Sequence, residues 1–216
     1  MRRASNAFAV SAAILSLAAG TLVAQSGMKP VASASMQTAV FAGGCFWGVE
    51  AVFEHLKGVK SVVSGYAGGK VVNPDYDAVS GGRTGHAEAV KVTFDPSVVS
   101  YETLLKVFFT VVHDPTELNR QGPDVGTQYR SAIFFTSADQ QKGTADFIAK
   151  MTAAKTYRNP IVTQVSALER FYDAESYHQN YLYSHLTQPY IVYNDLPKID
   201  ALKKQYPTLW EATKGK

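Results

Sequence analysis

A single cysteine, Cys45, stands in a chain of 216 residues. No intrachain disulfide and no multi-cysteine metal site can form, so a hydrophobic core must hold the fold. Composition permits that: 46% of residues are hydrophobic and 18% charged, a globular profile that excludes wholesale disorder. The five histidines are scattered, none spaced as His-x-x-x-His, so no zinc signature is present and no metal is expected. With 21 basic against 18 acidic residues the net charge is +3. That is too weak to argue for nucleic acid or an anionic membrane surface.

Residues 1–24 open Met-Arg-Arg and continue as a small apolar run from Ala7 to Val23. A positive start, an apolar centre and a small terminal residue describe a signal peptide, with cleavage after Ala24 or at Ala32-Ser33-Ala34. Left uncleaved it would act as an anchor, although it is short and alanine-rich for a bilayer span of about 20 residues. No cysteine follows the run, which excludes a lipid-anchored lipoprotein. Residues 25–36 read as a Ser/Ala/Gly/Pro linker. The expected organisation is a signal peptide (1–24), a linker (25–36) and a single domain (37–216). The mature chain would be a periplasmic or secreted monomer of roughly 180–190 residues, membrane-anchored if the segment is kept. A domain of that size buries about 70% of its unfolded surface.

Gln37–Phe41 predicts a strand, and Cys45–Lys57 a helix with Phe46, Val49, Val52, Phe53 and Leu56 on one face, closed by Gly58. Val59–Tyr66 and Ala87–Phe94 predict two more strands, separated by a long Gly/Asn/Pro loop. Ser100 caps a helix running to His113, and a second long loop spans Asp114–Gln128. Tyr129–Phe135 is a fourth strand, Ser137 opens a capping box with Gln140 for a helix to Lys155, and Ile161–Val165 is a fifth strand. Glu169–Leu186 is read as partly helical, and the tail from Tyr190 as irregular with a short helix at Ile199–Tyr206. The order β-α-β-β-α-β through Phe135 is that of a ferredoxin-like unit. The expected fold is an α+β two-layer sandwich with long functional loops.

Cys45 follows Gly43-Gly44 and opens a helix, where free N–H groups and partial positive charge favour a thiolate. A lone free cysteine is more often a buried structural residue. Phe46 and Trp47 immediately after it argue otherwise, since two large aromatics are wasted in a plain helix cap.

Gly-Gly-Cys-Phe-Trp-Gly at 43–48 resembles the signature of the A-type peptide methionine sulfoxide reductases. Gly85-His86-Ala87-Glu88, Gly126-Thr127-Gln128-Tyr129-Arg130-Ser131 and Tyr177-His178-Gln179 resemble further motifs of that family, in its order, so that the likeness covers about Thr38 to Leu186. The resemblance implies reduction of methionine S-sulfoxide, free or in proteins, to methionine. It implies Cys45 as nucleophile, Phe46 and Trp47 as the pocket for the substrate methyl, and Glu88 as the acid on the sulfoxide oxygen. Tyr76 and Tyr129 are implied to hydrogen-bond that oxygen, and Asp124 to orient the site. No bound cofactor is implied.

The chemistry is consistent. A thiolate attacks the sulfoxide sulfur only if the oxygen is protonated or strongly hydrogen-bonded, and a carboxylic acid with two phenols can do this. Glu88 must then sit where its pKa is raised. Taken singly, Glu88 would read as a solvated edge carboxylate, Tyr76 and Tyr129 as structural, and Asp124 as a turn residue.

Many relatives carry further C-terminal cysteines that resolve the sulfenic acid, and here Tyr190–Lys216 has none. Regeneration must use an external thiol, either a thioredoxin-like protein or a small dithiol. Two other readings remain open at this point. One is a hydrolase or acyltransferase built on Cys45, His86 and Glu88. The other is a non-catalytic secreted module that binds peptide segments through its aromatics.

Overall fold

The computed structural model describes Met1 and residues 35–212. The expected signal segment beyond Met1 and the linker through residue 34 lie outside the described residues. All elements below belong to the compact unit Ala34–Lys216.

Strand β1 (Gln37–Gly43) leads into helix α1 (Phe46–Glu54), then β2 (Val59–Ala67), the short α2 (Tyr76–Ser80) and β3 (Ala87–Phe94). Helix α3 (Tyr101–Val107) runs into a π-helical turn at Phe108–Val112. A small hairpin, β4 (Arg120–Gln121) and β5 (Asp124–Val125), precedes β6 (Ser131–Phe135) and helix α4 (Ala138–Ala153). The chain ends with β7 (Gln164–Ala167), β8 (Phe171–Asp173), α5 (Tyr181–Ser184), a π-helical turn at Ile191–Asp195 and α6 (Leu196–Gln205).

The six-stranded sheet has the order β7-β6-β1-β3-β2-β8. Its four inner strands, β6-β1-β3-β2, pair antiparallel with one another, and their order is that of the expected β-α-β-β-α-β unit. β7 adds in parallel to β6, and β8 antiparallel to β2.

Alternation along the strands divides the core. Ala39 and Phe41 of β1, Val90, Val92 and Phe94 of β3 and Ile133 of β6 enter the main cluster with α1, α3 and the first π turn. Val40, Ala42, Ala67, Ala87, Ala89, Ala132 and Phe134 form a second, smaller cluster. In α1, Phe46, Val49, Val52 and Phe53 are buried at helical spacing, and Phe53 stacks on Phe41 at 5.0 Å. Burying one such side chain is worth about 1.5–3 kcal/mol. Glu88 has the strand parity of Val90, Val92 and Phe94, so the pleat aims a carboxyl into the helix-covered side.

The capping expectations can be checked atom by atom. Ser100 Oγ accepts from Thr103 N–H at 3.1 Å and Ser137 Oγ from Gln140 N–H at 3.2 Å. The side chain of Gln140 does not close the box. Its Oε1 takes Thr136 N–H and its Nε2 donates to the Thr38 carbonyl, tying α4 to β1.

Three expectations need correction. Helix α1 stops at Glu54 rather than Lys57, because the backbone of 55–57 pairs with the C-terminal segment. Lys57 N–H donates to Leu209 O, Glu211 N–H to His55 O, and His55 stacks on Trp210 at 4.0 Å. The segment read as partly helical is so at Ser176–His178 and Tyr181–Ser184, but it also holds strand β8, whose approach to β2 requires Gly65, since a Cβ there would lie 2.3 Å from Tyr172 O. The short helix expected at Ile199–Tyr206 is present as α6 from Leu196, with Pro197 at its start, but the tail before it is not irregular, since a π turn at Ile191–Asp195 leads into it. The two long loops contain α2 and the β4–β5 hairpin. Among the described residues no helix is long and apolar enough to cross a membrane.

Candidate active site

Cys45 is the N-cap of α1, reached through Gly43 and Gly44 at the end of β1. Gly44 has φ +93°, a left-handed conformation that favours glycine, and a Cβ there would lie 2.8 Å from Gln121 of the β4–β5 hairpin. At Gly43 a Cβ would press on the rings of His113 and Phe108. The two glycines let the chain turn and bring a loop and a helix against the cysteine.

Glu88 is 1% exposed. Its Oε2 accepts the Phe46 N–H at 3.0 Å, and the Cys45 thiol lies within electrostatic reach of its carboxyl. Burial pushes Glu88 up to about 8; Asp124 and Asp195 reinforce the shift, against the pull of Phe46 N–H and the thiol. At neutral pH this carboxyl therefore carries its proton. The isolated expectation of a solvated edge carboxylate fails because β3 is an inner strand.

Tyr76 and Tyr129 both lie within electrostatic reach of Glu88 and Cys45. Burial, then the charge of Glu88, raises Tyr76 to about 12 and raises Tyr129 as well. Both phenols stay protonated donors. Asp124, from β5, is half-buried and accepts the Tyr190 hydroxyl. Burial raises its pKa while that hydrogen bond and Lys198 oppose the shift. The fold thus gathers Cys45, Phe46, Trp47, Tyr76, Glu88, Asp124 and Tyr129 from five separate segments.

The thiol differs from expectation. Helix-terminal position was expected to favour thiolate, but Cys45 is held well above the usual thiol range. Burial is the largest cause, then the charges of Glu88 and Asp195. The Trp47 N–H and the Lys198 ammonium pull the other way without prevailing. At neutral pH Cys45 is therefore a thiol.

An aromatic wall is fixed by the C-terminal segment. Trp47 Nε1 donates to His178 Nδ1 at 3.1 Å, and its ring stacks on Tyr181 at 3.8 Å. Phe46 lies 5.0 Å from His178, and Tyr76 4.4 Å from it. Glu175 accepts the Tyr76 N–H and the Tyr66 hydroxyl, both at 2.8 Å. The Gln179 side-chain amide accepts the Ser64 N–H and donates to the Ser64 and Ala174 carbonyls. The Tyr177-His178-Gln179 motif thus positions the site from beneath.

His86 is not a partner of Cys45. Its Nδ1 accepts Gly69 N–H at 3.1 Å, so the proton is on Nε2, which donates to Val71 O at 2.8 Å. Both nitrogens are consumed in closing the loop after β2, which removes the general base a Cys-His-Glu hydrolase would need.

Three residues escaped sequence reasoning: Tyr190, Asp195 and Lys198. Tyr190 was one tyrosine among 12, and Asp195 and Lys198 fell in a tail read as irregular. Asn194-Asp195-Leu196-Pro197 carried a usable signal, since a proline in the first turn with an acidic residue before it marks a helix start. Among the described residues no group of three or more His, Cys, Asp or Glu is placed to hold a metal. A separate cleft of about 620 Å³, bounded by Lys57, Val62, Tyr183 and Glu211, contains none of the site residues.

The sequence profile of the family described as peptide methionine sulfoxide reductase matches residues 37–209. The peptide methionine sulfoxide reductase MsrA 2 of Mesorhizobium japonicum is 52% identical over 183 residues, 85% of this chain and 94% of that one. The MsrA of Deinococcus radiodurans is 50% identical over 180 residues, 83% and 86% of the two chains. Among solved structures, reduced Mxr1 of Saccharomyces cerevisiae superposes with a TM-score of 0.65 at 34% identity, covering 71% of this chain and 88% of that one. Methionine sulfoxide reductase A of Corynebacterium diphtheriae gives 0.62 at 36% identity, covering 70% and 76%. With an inner-strand carboxyl protonated beside a helix-capping cysteine, and with these relatives, the chain belongs to the peptide methionine sulfoxide reductase family, oxidoreductases that reduce methionine S-sulfoxide to methionine.

Proposed function

We propose that Cys45 is the nucleophile of this reduction and Glu88 its acid. The observation that carries this reading is the Glu88 carboxyl, buried, bonded to the Phe46 N–H and still protonated up to about pH 8, beside the thiol. The sulfoxide oxygen faces Glu88 and the hydroxyls of Tyr76 and Tyr129, and the substrate methyl lies on Phe46 and Trp47. Asp124, bonded by Tyr190, orients that set.

Glu88 gives its proton to the oxygen as the Cys45 sulfur attacks the sulfoxide sulfur. The thiol proton passes to the carboxylate so formed, which regains its acid form. The S–O bond and the new bond between the two sulfurs then break as the hydroxyl oxygen bonds the Cys45 sulfur; the substrate sulfur keeps an electron pair and leaves as a thioether, and Cys45 is left as a sulfenic acid. The high pKa of the resting thiol suits this order, because the thiolate need form only as the oxygen takes its proton.

A thiol donor then attacks Cys45, releasing water and leaving a mixed disulfide, and a second thiol frees Cys45 and leaves as the donor's disulfide. The donor is a thioredoxin-like protein or a small dithiol, and no bound cofactor takes part. The signal-like segment 1–24 supports a periplasmic or secreted monomeric enzyme, in the domain arrangement given above, acting on oxidised proteins or free methionine sulfoxide.

The test is a single-turnover rapid quench without reductant, read with intact protein mass. One methionine per Cys45 and a mass gain of one oxygen are expected. Two methionines per enzyme, or a mass two hydrogens lower, would overturn the single-cysteine cycle.

A further inference from the structure

The C-terminal segment carries no cysteine, yet it reaches the reactive end of α1 with two charges. Asp195 is 0% exposed, and its Oδ1 accepts Lys198 Nζ at 3.2 Å. Its Oδ2 is buried and has no hydrogen-bond partner among the described residues. The Lys198 side chain is only 18% exposed. A Cβ built on Gly48 would fall 2.1 Å from Asp195 Oδ1 and 3.0 Å from Lys198 Nζ. The pair is therefore pressed against the first turn of α1, three residues beyond Cys45, and only a glycine leaves room for it.

The groups that face the Cys45 sulfur can be named by element. Glu88 comes from β3, Asp195 and Lys198 from the C-terminal turn and α6, Tyr76 from α2, Tyr129 from the segment before β6, and Tyr190 from the turn before Asp195. Asp124 of β5 acts on Glu88 and on both Tyr76 and Tyr129. The carboxylates disfavour a thiolate there; Lys198 favours one.

We propose that Lys198 is a positioning residue for the reaction: its ammonium, held by Asp195 against Gly48, is the counter-charge for the Cys45 thiolate as it forms. The inference rests on Cys45 being the reacting sulfur. Such a charge acts strongly in a site shielded from water, where the effective dielectric is low. Asp195 alone would oppose the thiolate. Paired, it anchors a flexible lysine at one place and leaves the ammonium facing the helix turn that Cys45 caps. Asp195 is thus the holder and Lys198 the group that acts, and their effects on the sulfur have opposite sign.

The opposite signs give the test. The readout is the pH dependence of Cys45 alkylation by iodoacetamide, with kcat/KM at pH 7 beside it. Removing Lys198 alone would let the buried Asp195 take a proton and hide the effect, so the comparison is made on Asp195→Asn. Asp195→Asn is expected to move the alkylation profile to lower pH than wild type. Adding Lys198→Met to it is expected to move the profile up by about one pH unit, a tenfold loss of thiolate at a given pH, with a parallel loss of kcat/KM. Asp195→Asn with Lys198→Arg is expected to stay with the single variant. Melting temperatures check that each variant is folded. If the Lys198→Met double variant fails to fold, Lys198→Gln in the same background is read instead.

Coincident profiles with and without Lys198 would overturn the proposal, and so would a shift of the same sign from both residues, as simple breakage of the ion pair would give. Failure of the underlying reading looks different: Cys45→Ser would keep turnover whatever the alkylation profiles show.

Discussion

The β1–α1 junction and the C-terminal segment from Glu175 to Lys198 converge on one sulfur by different routes. At the junction, Cys45, Phe46 and Trp47 are adjacent in sequence, and Glu88 arrives through an inner strand whose register against β1 sets its side. In the C-terminal segment the contributors are spread over two dozen positions. Glu175 holds Tyr76, His178 holds Trp47, Tyr190 holds Asp124, and the Asp195–Lys198 pair faces Gly48. On the proposed reading the first region supplies the groups that react, on backbone tied into the sheet. The second supplies groups that hold, mostly by one hydrogen bond or ring contact each. Reactive atoms need a rigid support and few neighbours, whereas tuning a buried charge needs partners from several directions.

The largest expected effect is at the junction. Cys45→Ser should abolish sulfoxide reduction, because a hydroxyl is a weak nucleophile and forms no stable counterpart of the sulfenic acid. Turnover above about a tenth of wild type would move the chemistry out of the junction, against the reading of a lone general nucleophile.

Glu88→Gln comes next. Its amide oxygen can keep the Phe46 N–H bond, but the proton is gone, and kcat should fall by about 10²–10⁴-fold. The same carboxyl governs pH. Its acid form declines as pH rises through about 8, so wild-type kcat should fall above that value. Stability follows the same sign: a carboxyl whose folded pKa lies above its unfolded value destabilises the fold increasingly as pH rises from about 4.5 to about 8. Glu88→Gln should therefore raise the melting temperature at pH 8 relative to wild type and not at pH 4. An inactive variant with no such gain would mean that the carboxyl is not buried as an acid.

The two phenols test whether the site tolerates loss of one donor. Tyr76→Phe and Tyr129→Phe should each cost less than the double change, which should lose about 10²-fold or more in kcat. Strict additivity in a double-mutant cycle would show that they do not share one oxygen.

Gly48→Ala probes the meeting of the two regions and has the smallest expected effect. The added methyl collides with Asp195 and Lys198, and thermal or urea unfolding should show a loss of about 1–3 kcal/mol. Pairing it with Asp195→Gly, which removes the colliding carboxylate, should recover part of that loss. No recovery would place the clash elsewhere.

Much of the fold was legible because it is written locally. The Ser100 and Ser137 caps, the helical spacing of Phe46, Val49, Val52 and Phe53, and the strand alternation of Ala87–Phe94 are short-range patterns, and each appears where expected. β8 was not legible, since three residues paired with Gly65–Ala67 leave no period to detect. Helix α6 was expected at Ile199–Tyr206 and forms at Leu196–Gln205, but the π turn at Ile191–Asp195 that leads into it and buries Asp195 was not legible.

The site divides in the same way. Composition and spacing in the chain were enough to determine that one cysteine opens a helix behind two glycines and that it cannot form an intrachain disulfide; the acid, the two phenols and the aromatic pair were singled out only by the family resemblance. The charge states were decided only by the tertiary structure. Cys45 sits in the place that ordinarily yields a thiolate and is held as a thiol, and Glu88 is of a type ordinarily ionised and is held as an acid. His86, a plausible base in sequence, is spent on the loop at Gly69 and Val71. A sequence motif specifies which groups exist and roughly where the backbone turns. Protonation depends on burial and on charges brought in from far along the chain, here Asp124, 36 residues from Glu88, and Asp195, 150 residues from Cys45, and those distances close only when the sheet and the C-terminal segment assemble.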